Sequence, residues 1–389
     1  MDPDLALRPG GRWEALNGMR AFAVISVMLF HLYARAGATW DPLRPTGGFL
    51  GVDVFYVLSG FLITHLLVAE VDKRGRISLR SFYARRALRL FPALALLLVV
   101  SVTASLVFTD RFWSRLTLVG LPWVLLYVGN WYVVTHATFA PLGLVGQVWS
   151  LGVEEQFYLL WPVILIGIVH RFTNRLRIAQ VLAVVALGEM VYRFAAIEVL
   201  HWSARDRIFF GSDTHSDGLV LGCALAFYLS SRHGRALSIR ARRWLTATTI
   251  VAVVALLLAV LRLSFVAASS VWFGIPVAVV CTVVIVFNQL THPLPVLSHV
   301  LGSRPAVWVG KRSYGLYLWQ ATITMGLSGL HWGGLGSGEV ALIQIAMTFG
   351  VAALSYRFVE LPFLRRKRAF ARAPVTSLAT AAPGGRGAA

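Results

Sequence analysis

The stretch LFPALALLLVVSVTASLVFT, residues 90–109, decides the fold class of this chain. It contains no charged side chain, and about 20 apolar residues are what an α-helix needs to cross the hydrocarbon core of a bilayer. Two further stretches, 245–261 and 263–290, are interrupted by no charge either. Over all 389 residues the charged fraction is 14% and the hydrophobic fraction 57%, whereas a soluble domain carries about a quarter charged residues. The sequence therefore predicts a helical membrane protein and not a soluble globule.

The chain is also strongly basic, with 36 Lys and Arg residues against 17 Asp and Glu and a formal net charge of +19. In a soluble protein such an excess would point to nucleic acid. Here the arginines lie in short loops beside apolar stretches, which is the distribution that the positive-inside rule describes for cytoplasmic loops. We therefore expect the lipid bilayer, and not nucleic acid, to be the partner of this charge.

The residue types that bind metals are sparse. Cys223 and Cys281 both lie inside apolar segments, so the sequence indicates neither a zinc site nor a disulfide framework. Asp213, His215 and Asp217 form a short cluster ahead of an apolar segment, but this set alone is too weak a signal for a metal site. We expect no metal.

Loop charges limit the number of membrane spans. The loop 70–89 is rich in Lys and Arg and is therefore expected in the cytoplasm. Because two apolar windows precede this loop, the N-terminus is expected there too, and the basic tail after Pro362 then requires an even number of spans. Of eleven apolar windows the weakest is 116–135, which Pro122 and the pair Gly129-Asn130 interrupt. The windows are 16–35, 48–69, 90–109, 116–135, 148–169, 178–199, 217–230, 244–261, 271–290, 307–330 and 339–359.

The prediction is thus an all-α, polytopic helical membrane protein with ten transmembrane helices and a re-entrant or interfacial element near 110–146. Residues 1–15 are expected to form a cytoplasmic N-terminal segment and residues 16–366 the transmembrane domain. Residues 367–389, rich in Ala, Pro, Gly and Thr, are expected to form a disordered cytoplasmic tail.

The first span, LNGMRAFAVISVMLFHLYA (residues 16–34), carries two polar residues that are expensive in a membrane, Arg20 and His31. Eleven positions correspond to three helical turns plus about 20°, so both side chains project from one face, roughly 16 Å apart along the axis. An arginine can bind phosphate or carboxylate with two hydrogen bonds, and a histidine can take a proton from a hydroxyl. The alternative is structural: Arg20 extends to the lipid headgroups and His31 bonds to a neighbouring helix.

The second span, GGFLGVDVFYVLSGFLITHLL (residues 47–67), contains Asp53 near its outer end and Ser59 near its middle. Its glycines favour close helix packing. Asp53 requires a cationic or hydrogen-bonding partner, which the sequence does not identify.

A basic cluster, Arg85, Arg86 and Arg89, precedes the third span in the segment SFYARRALRLFPAL. Arg85 and Arg89 are four residues apart and are expected to share a helix face. Such a cluster either orients the helix in the membrane or binds a polyanionic cofactor that arrives from the cytoplasm.

A polar and aromatic stripe follows in QVWSLGVEEQFYLLWP, residues 147–162. Gln147, Glu154, Tyr158 and Trp161 recur at spacings that place them on one helix face. Glu154 is a candidate partner for a basic group on another span or for a catalytic imidazole. The alternative is an anchor at the outer membrane interface.

Taken together, these segments resemble the motifs of the acyltransferase-3 family, integral membrane acyltransferases that modify bacterial surface sugars, antibiotics and similar molecules. The resemblance extends from about Leu16 to Arg366. The matching segments, in order, are LNGMRAFAVISVMLFH, GFLGVDVFYVLSGFLIT, FYARRALRLFPAL, QVWSLGVEEQFYLLWP, DTHSDGLVLGCALA, VGKRSYGLYLWQ and SYRFVELPFLRR.

The resemblance implies a ten-span core in a bacterial plasma membrane, with both termini cytoplasmic. That core would use cytoplasmic acyl-CoA, commonly acetyl-CoA, to acylate a hydroxyl of a sugar-containing acceptor. The functional motifs of the family fall on Arg20 and His31, on Arg85, Arg86 and Arg89, and on Trp149, Ser150, Leu151, Glu154, Phe157 and Tyr158.

This sequence departs from the family pattern in two motifs. Asn17 replaces an aspartate that usually opens the first motif, which weakens a charge interaction there. Gln320 stands where the family often has a histidine, so we assign it no role in proton transfer. We also expect no appended hydrolase-like domain, and hence acyl transfer within the membrane core.

The resulting hypothesis assigns catalysis to His31, as the base that deprotonates the acceptor hydroxyl, and to Glu154, which would orient His31. An acyl-His31 intermediate is left open. Acyl-CoA would bind to Arg20, Arg85, Arg86 and Arg89, and the acceptor to Asp53, Ser59, Trp149 and Tyr158.

Two other functional classes compete with this hypothesis. A transporter or flippase would also carry buried polar residues, but the sequence shows no inverted repeat. A polytopic scaffold would use the polar residues only to join helices, which the ordered motifs disfavour. The oligomeric state is not readable from the sequence.

Overall fold

The computed structural model describes residues 13–36, 45–136, 142–232, 234–327 and 335–372. Within these ranges all regular structure is helical and no strand is present. The prediction of an all-α protein is confirmed.

The α-helices, numbered in chain order, are α1 (Glu14–Ala36), α2 (Gly51–Arg74), α3 (Leu79–Phe108), α4 (Arg111–Leu125), α5 (Gly129–His136), α6 (Trp149–Arg171), α7 (Arg175–Glu198), α8 (Asp217–Ser231), α9 (Ile239–Arg262), α10 (Ile275–Thr291), α11 (Pro295–Leu301), α12 (Arg304–Lys311), α13 (Ser313–Leu327), α14 (Ser337–Ser355) and α15 (Leu361–Arg372). Short 3₁₀-helical turns, Gly48–Leu50 and Gly143–Val148, lead into α2 and α6. Single π-helical turns are formed by Ala204–Ile208, Ser270–Gly274 and Tyr356–Glu360.

Eight helical segments of the described residues are long and apolar enough to cross a bilayer. They are Glu14–Tyr33, Gly48–Arg74, Leu79–Phe108, Gly143–Arg171, Arg175–Glu198, Ile239–Arg262, Ser270–Thr291 and Ser337–Arg366. Each corresponds to one of the ten predicted spans. The other two predicted spans, 217–230 and 307–330, fall on the shorter helix α8 and on α12 with α13. The prediction of a polytopic helical membrane protein is confirmed.

The weakest apolar window, 116–135, is broken into two short helices. At 1.5 Å per residue, α4 and α5 are about 22 and 12 Å long, and each is shorter than the hydrocarbon core of about 30 Å. Tyr127, between them, has a φ of 57°, a left-handed conformation that ends the helical run. After α5 the chain returns to α4, where the backbone N–H of Leu144 donates to the Thr117 hydroxyl at 3.1 Å. Gly143 makes this contact possible, because a Cβ there would lie 2.3 Å from the Thr117 hydroxyl oxygen.

Helices α2 and α8 pack backbone against backbone in the interior, and glycine permits it. A Cβ on Gly60 would lie 1.9 Å from the Leu219 carbonyl oxygen, and a Cβ on Gly222 would lie 2.3 Å from the Val57 carbonyl oxygen. A glycine of each helix therefore lies against the backbone of the other helix, which is the small-residue packing expected of this glycine-rich span.

Ion pairs collect several helix ends on one side of the bundle. Arg175, at the start of α7, pairs with Asp72, near the end of α2. Arg85, in the first turns of α3, lies 3.4 Å from Glu70 of α2. We call this the basic side. The opposite side holds α5, the start of α6, the end of α7 and the start of α8.

The C-terminal boundary differs from the expected one. Helix α15 extends to Arg372, so residues 367–372, which were predicted to belong to a disordered tail, continue the helix. Its sequence LPFLRRKRAFAR intersperses Leu, Ala and Phe with Lys and Arg, and Leu, Ala, Lys and Arg are favourable residues in a helix. The remaining tail, 373–389, and residues 1–12 of the predicted N-terminal segment lie outside the described residues.

Candidate active site

A cavity lies among α1, α2, α3, α6 and α13. Six of the ten predicted site residues line it: Arg20, Ser59, Arg86, Arg89, Glu154 and Tyr158. The rest of its lining is Val52, Phe55, Tyr56, Leu90, Ser150, Leu151, Ser313, Tyr314 and Tyr317. Segments far apart in sequence therefore form one site.

Three guanidinium groups converge on the cavity from two helices: Arg20 from α1, and Arg86 and Arg89 from α3. The Arg86 guanidinium carbon lies 3.5 Å from the centroid of the Tyr158 ring, a cation–π contact that fixes its position. The buried Nε atoms of Arg20 and Arg86 have no hydrogen-bond partner among the described residues. These donors are available to an anion, since leaving a buried donor unsatisfied is unfavourable.

One carboxylate of the cavity lining, that of Glu154, faces these cations. Glu154 interacts electrostatically with Arg20, Arg86 and Arg89. Its Oε1 also accepts a hydrogen bond of 2.5 Å from the Ser59 hydroxyl of α2. The prediction had Glu154 orient His31; the structure instead places it beside Ser59 and the arginines. The lining thus carries three cations and one anion. Outside the lining, Glu155 interacts electrostatically with Arg86 and Arg89, and Glu360 with Arg89.

Hydroxyl groups connect the cavity wall to α13. The Tyr56 hydroxyl donates to the Ser150 carbonyl at 3.2 Å, and the Ser150 and Tyr317 hydroxyls lie 2.5 Å apart. The Tyr317 hydroxyl also lies 3.0 Å from the Gln147 carbonyl, to which it can donate. Sequence reasoning assigned no role to Tyr56 or Tyr317. The signal for Tyr317 was its place in the matching segment VGKRSYGLYLWQ.

Arg85 does not line the cavity. Its Nη2 lies 3.4 Å from Glu70 Oε2, and the same carboxylate accepts a hydrogen bond from the backbone N–H of Ser78. Arg85 and Arg89 are one turn apart on α3, but of the cluster only Arg86 and Arg89 line the cavity. The reason is that Glu70 of α2 offers Arg85 a partner on the basic side.

His31 lies further along α1 than Arg20, and it is not part of the cavity lining. Its Nδ1 is 2.9 Å from the Val27 carbonyl oxygen, and its ring meets the edge of Phe30 at 5.3 Å between centroids. A carbonyl oxygen only accepts, so Nδ1 carries a hydrogen and, in the neutral ring, Nε2 is the basic atom. The chain beyond this end of α1, residues 37–44, lies outside the described residues.

Asp53 and Trp149, which were predicted to bind the acceptor, also lie outside the cavity lining. Asp53 is fully buried, and its Oδ1 is 2.8 Å from His215 Nε2. Trp149 packs against Phe209 and Phe210, with ring centroids 5.0 and 4.7 Å apart. Asp53 joins α2 to the segment that precedes α8, and Trp149 joins α6 to the same segment.

The short cluster Asp213, His215 and Asp217, which is too weak a sequence signal for a metal site, does not converge in the structure. Each of its side chains has a different partner. His215 faces Asp53, Asp217 lies 2.5 Å from Arg193, and Asp213 is paired with Arg207. The described residues contain no group of three His, Cys, Asp or Glu side chains arranged to hold a metal.

Gln320 is completely buried on α13, and its amide has no hydrogen-bond partner among the described residues.

Comparison with known proteins places the chain in a family. A family model described as an acyltransferase domain matches residues 13–357. The chain belongs to the acyltransferase-3 family. The resemblance seen in the sequence motifs is thereby confirmed for nearly the whole chain.

Two named relatives of this family member are both O-acetyltransferases called OatA. The chain is 32% identical over 366 residues to the peptidoglycan O-acetyltransferase OatA of Listeria monocytogenes, covering 92% of this chain and 56% of that protein. It is 32% identical over 373 residues to the O-acetyltransferase OatA of Staphylococcus aureus, covering 92% of this chain and 58% of that protein. The chain thus spans somewhat more than half the length of these relatives. No solved structure matches it.

Proposed function

We propose that this chain is a membrane O-acetyltransferase that transfers an acetyl group from cytoplasmic acetyl-CoA to a hydroxyl of a cell-envelope polysaccharide. The observation that carries the proposal is the convergence of Arg20, Arg86 and Arg89 on one cavity that also contains Glu154. The names of the relatives support the acetyl group and the polysaccharide.

The arginines favour a polyanionic donor. Guanidinium groups bind phosphate oxygens through charge-assisted hydrogen bonds, and such bonds are stronger where water is scarce. The phosphates of coenzyme A would accept hydrogen bonds from the Nε donors of Arg20 and Arg86. Arg86 and Arg89 lie in the first three turns of α3, which starts on the basic side. If the basic side faces the cytoplasm, as the loop charges predict, the donor enters there.

Glu154 and Ser59 are proposed to hold the arginines in place. The carboxylate reduces the repulsion among three neighbouring guanidinium groups, and the Ser59 hydroxyl fixes one of its oxygens at 2.5 Å. The pantetheine arm would then extend along α1, past Tyr56 and Tyr317, and carry the thioester towards His31.

His31 is proposed as the general base. With Nδ1 donating to the Val27 carbonyl, Nε2 takes the proton of the acceptor hydroxyl while the hydroxyl oxygen attacks the thioester carbon. The tetrahedral intermediate then collapses, the carbon–sulfur bond breaks, and the imidazolium returns its proton to the departing thiolate. The products are an acetyl ester and coenzyme A, and no other reactant is needed.

The test is acetyl transfer by the purified full chain in proteoliposomes. Acetyl-CoA labelled in its acetyl group is supplied on one side and peptidoglycan glycan strands on the other. We expect the label to appear as a base-labile ester on the glycan. A labelled glycan that crosses the bilayer without gaining acetyl groups would instead support a transporter and overturn the proposal.

A further inference from the structure

A cluster of aromatic and charged side chains lies on the side opposite the basic side. The Arg207 guanidinium carbon is 5.4 Å from the ring of Trp131 and 5.0 Å from the ring of Trp202. The same guanidinium donates two hydrogen bonds to Asp213, at 2.9 and 2.6 Å. We call these four residues, Trp131, Trp202, Arg207 and Asp213, the outer platform.

The outer platform combines exposure with order. The Asp213 side chain is 44% exposed and that of Arg207 26% exposed, while both tryptophans are half-buried. Because Arg207 is held by Asp213 and both indoles, the four side chains form one unit. They offer aromatic surface, a planar cation and an exposed carboxylate within a small area.

Hydrogen bonds tie the segments that carry the outer platform to α6. The Asn130 amide, next to Trp131, donates to the Phe210 carbonyl at 3.1 Å and to the Ser212 hydroxyl at 2.8 Å. The Ser212 hydroxyl donates to Gln156 at 2.6 Å, and Gln156 donates to the Tyr127 carbonyl at 2.7 Å. Gln156 lies on α6, two residues after Glu154 of the cavity, so the segments that carry the platform are bonded to a helix that also lines the cavity.

Backbone conformation also distinguishes this region. Tyr127 and His201 are the non-glycine residues with positive φ among the described ranges, at 57° and 55°. They lie shortly before Trp131 and immediately before Trp202. Left-handed backbone costs energy for such residues and is retained where the surrounding structure fixes it.

The platform segment also contacts the cavity wall through packing. Phe209 and Phe210, which follow Arg207, contact Trp149. Trp149 is adjacent in sequence to Ser150, which lines the cavity. The segment that carries Arg207 is therefore connected, through Phe209, Phe210 and Trp149, to a helix that lines the cavity.

We propose that the outer platform binds a sugar ring of the polysaccharide acceptor. The electron-rich face of an indole attracts the partly positive C–H face of a pyranose, while Asp213 accepts from sugar hydroxyls and Arg207 donates to sugar oxygens. This inference rests on the proposed function, and on the topology that places the basic side in the cytoplasm. It assigns recognition of the acceptor to a surface separate from the cavity that would bind the donor.

The test measures binding and kinetics with W131A, W202A and D213N. Binding of N-acetylglucosamine oligomers to the full chain in nanodiscs is followed by tryptophan fluorescence without any acyl donor. We expect each variant to raise the acceptor KM about three- to tenfold, as loss of an aromatic contact would. The KM for acetyl-CoA and kcat should stay within twofold of their original values.

Trp244→Ala is the matched control, because Trp244 is 68% exposed near the start of α9 among basic residues, and it should leave the acceptor KM unchanged. If an alanine variant does not fold, Trp131→Phe and Trp202→Phe keep an aromatic face and should raise the acceptor KM about twofold. An acceptor KM unchanged in every folded platform variant would overturn the inference while leaving acetyl transfer intact. Glycan binding without acetylation by the unmodified chain would refute the proposed function and leave the platform standing.

Discussion

His215 lies 2.8 Å from Asp53, although the two are 162 positions apart in sequence, and both side chains are completely buried. The other ring nitrogen, Nδ1, faces the Phe209 carbonyl at 2.5 Å and must donate to it. Asp53 and His215 therefore share one further proton, either as an ion pair or as a neutral pair. Their ring and carboxylate join the start of α2 to the segment before α8, directly behind Tyr56 of the cavity.

Breaking this pair should destabilise the fold strongly. Asp53→Ala or His215→Ala leaves the remaining partner buried without its hydrogen bond, which is expected to lower the free energy of unfolding by about 3–5 kcal/mol. Thermal unfolding of the detergent-solubilised protein measures the effect. The double variant Asp53→Val, His215→Leu removes both polar groups and should recover part of the loss. Single variants as stable as the unmodified chain would contradict the pairing.

The arginines of the cavity should control donor affinity. Arg86→Gln and Arg89→Gln each remove a charge-assisted interaction of about 1.5–3 kcal/mol, so the KM for acetyl-CoA is expected to rise roughly ten- to a hundredfold. Arg85→Gln is the matched control, because Arg85 pairs with Glu70 outside the cavity. Initial rates at varied acetyl-CoA measure the difference. Equal effects at all three positions would indicate a general effect of charge and not a donor site.

His31→Ala should abolish acetyl transfer but not donor binding. Loss of a general base is expected to lower kcat about 10²–10⁴-fold, while the Kd for coenzyme A should change little, because His31 does not line the arginine cavity. Turnover assays and calorimetric titration measure the two quantities separately. Near-normal turnover in this variant would remove His31 from the mechanism.

A methyl group at Gly222 should separate α2 from α8. Gly222→Ala places a Cβ 2.3 Å from the Val57 carbonyl oxygen, and overpacking of this kind destabilises by about 1–3 kcal/mol. Gly167→Ala in α6 is the control, because nothing lies within 4 Å of a Cβ there. Unfolding temperatures of the two variants should therefore differ, with Gly222→Ala the lower. Identical unfolding temperatures would show that the helices can move apart freely.

Much of the candidate site could be read from the sequence, since Arg20, Arg86, Arg89 and Glu154 are charged residues inside or beside apolar spans. Such residues are unfavourable in a membrane unless they meet one another. The sequence could not tell which of them meet. Arg85 and Arg86 are neighbours in the chain, yet Arg85 pairs with Glu70 and Arg86 stacks on Tyr158.

The sequence by itself determined that the chain is a bundle of membrane helices, because charge-free stretches as long as 90–109 have the length and polarity that a helix needs to cross a bilayer. Only the tertiary structure decided that Asp53 belongs with His215, that Glu154 belongs with Ser59, and that Trp131, Trp202 and Arg207 form one surface. Helical periodicity fixes the direction of a side chain around its own axis. Which other helix it then faces depends on how helices distant in sequence pack, and no local pattern encodes that contact.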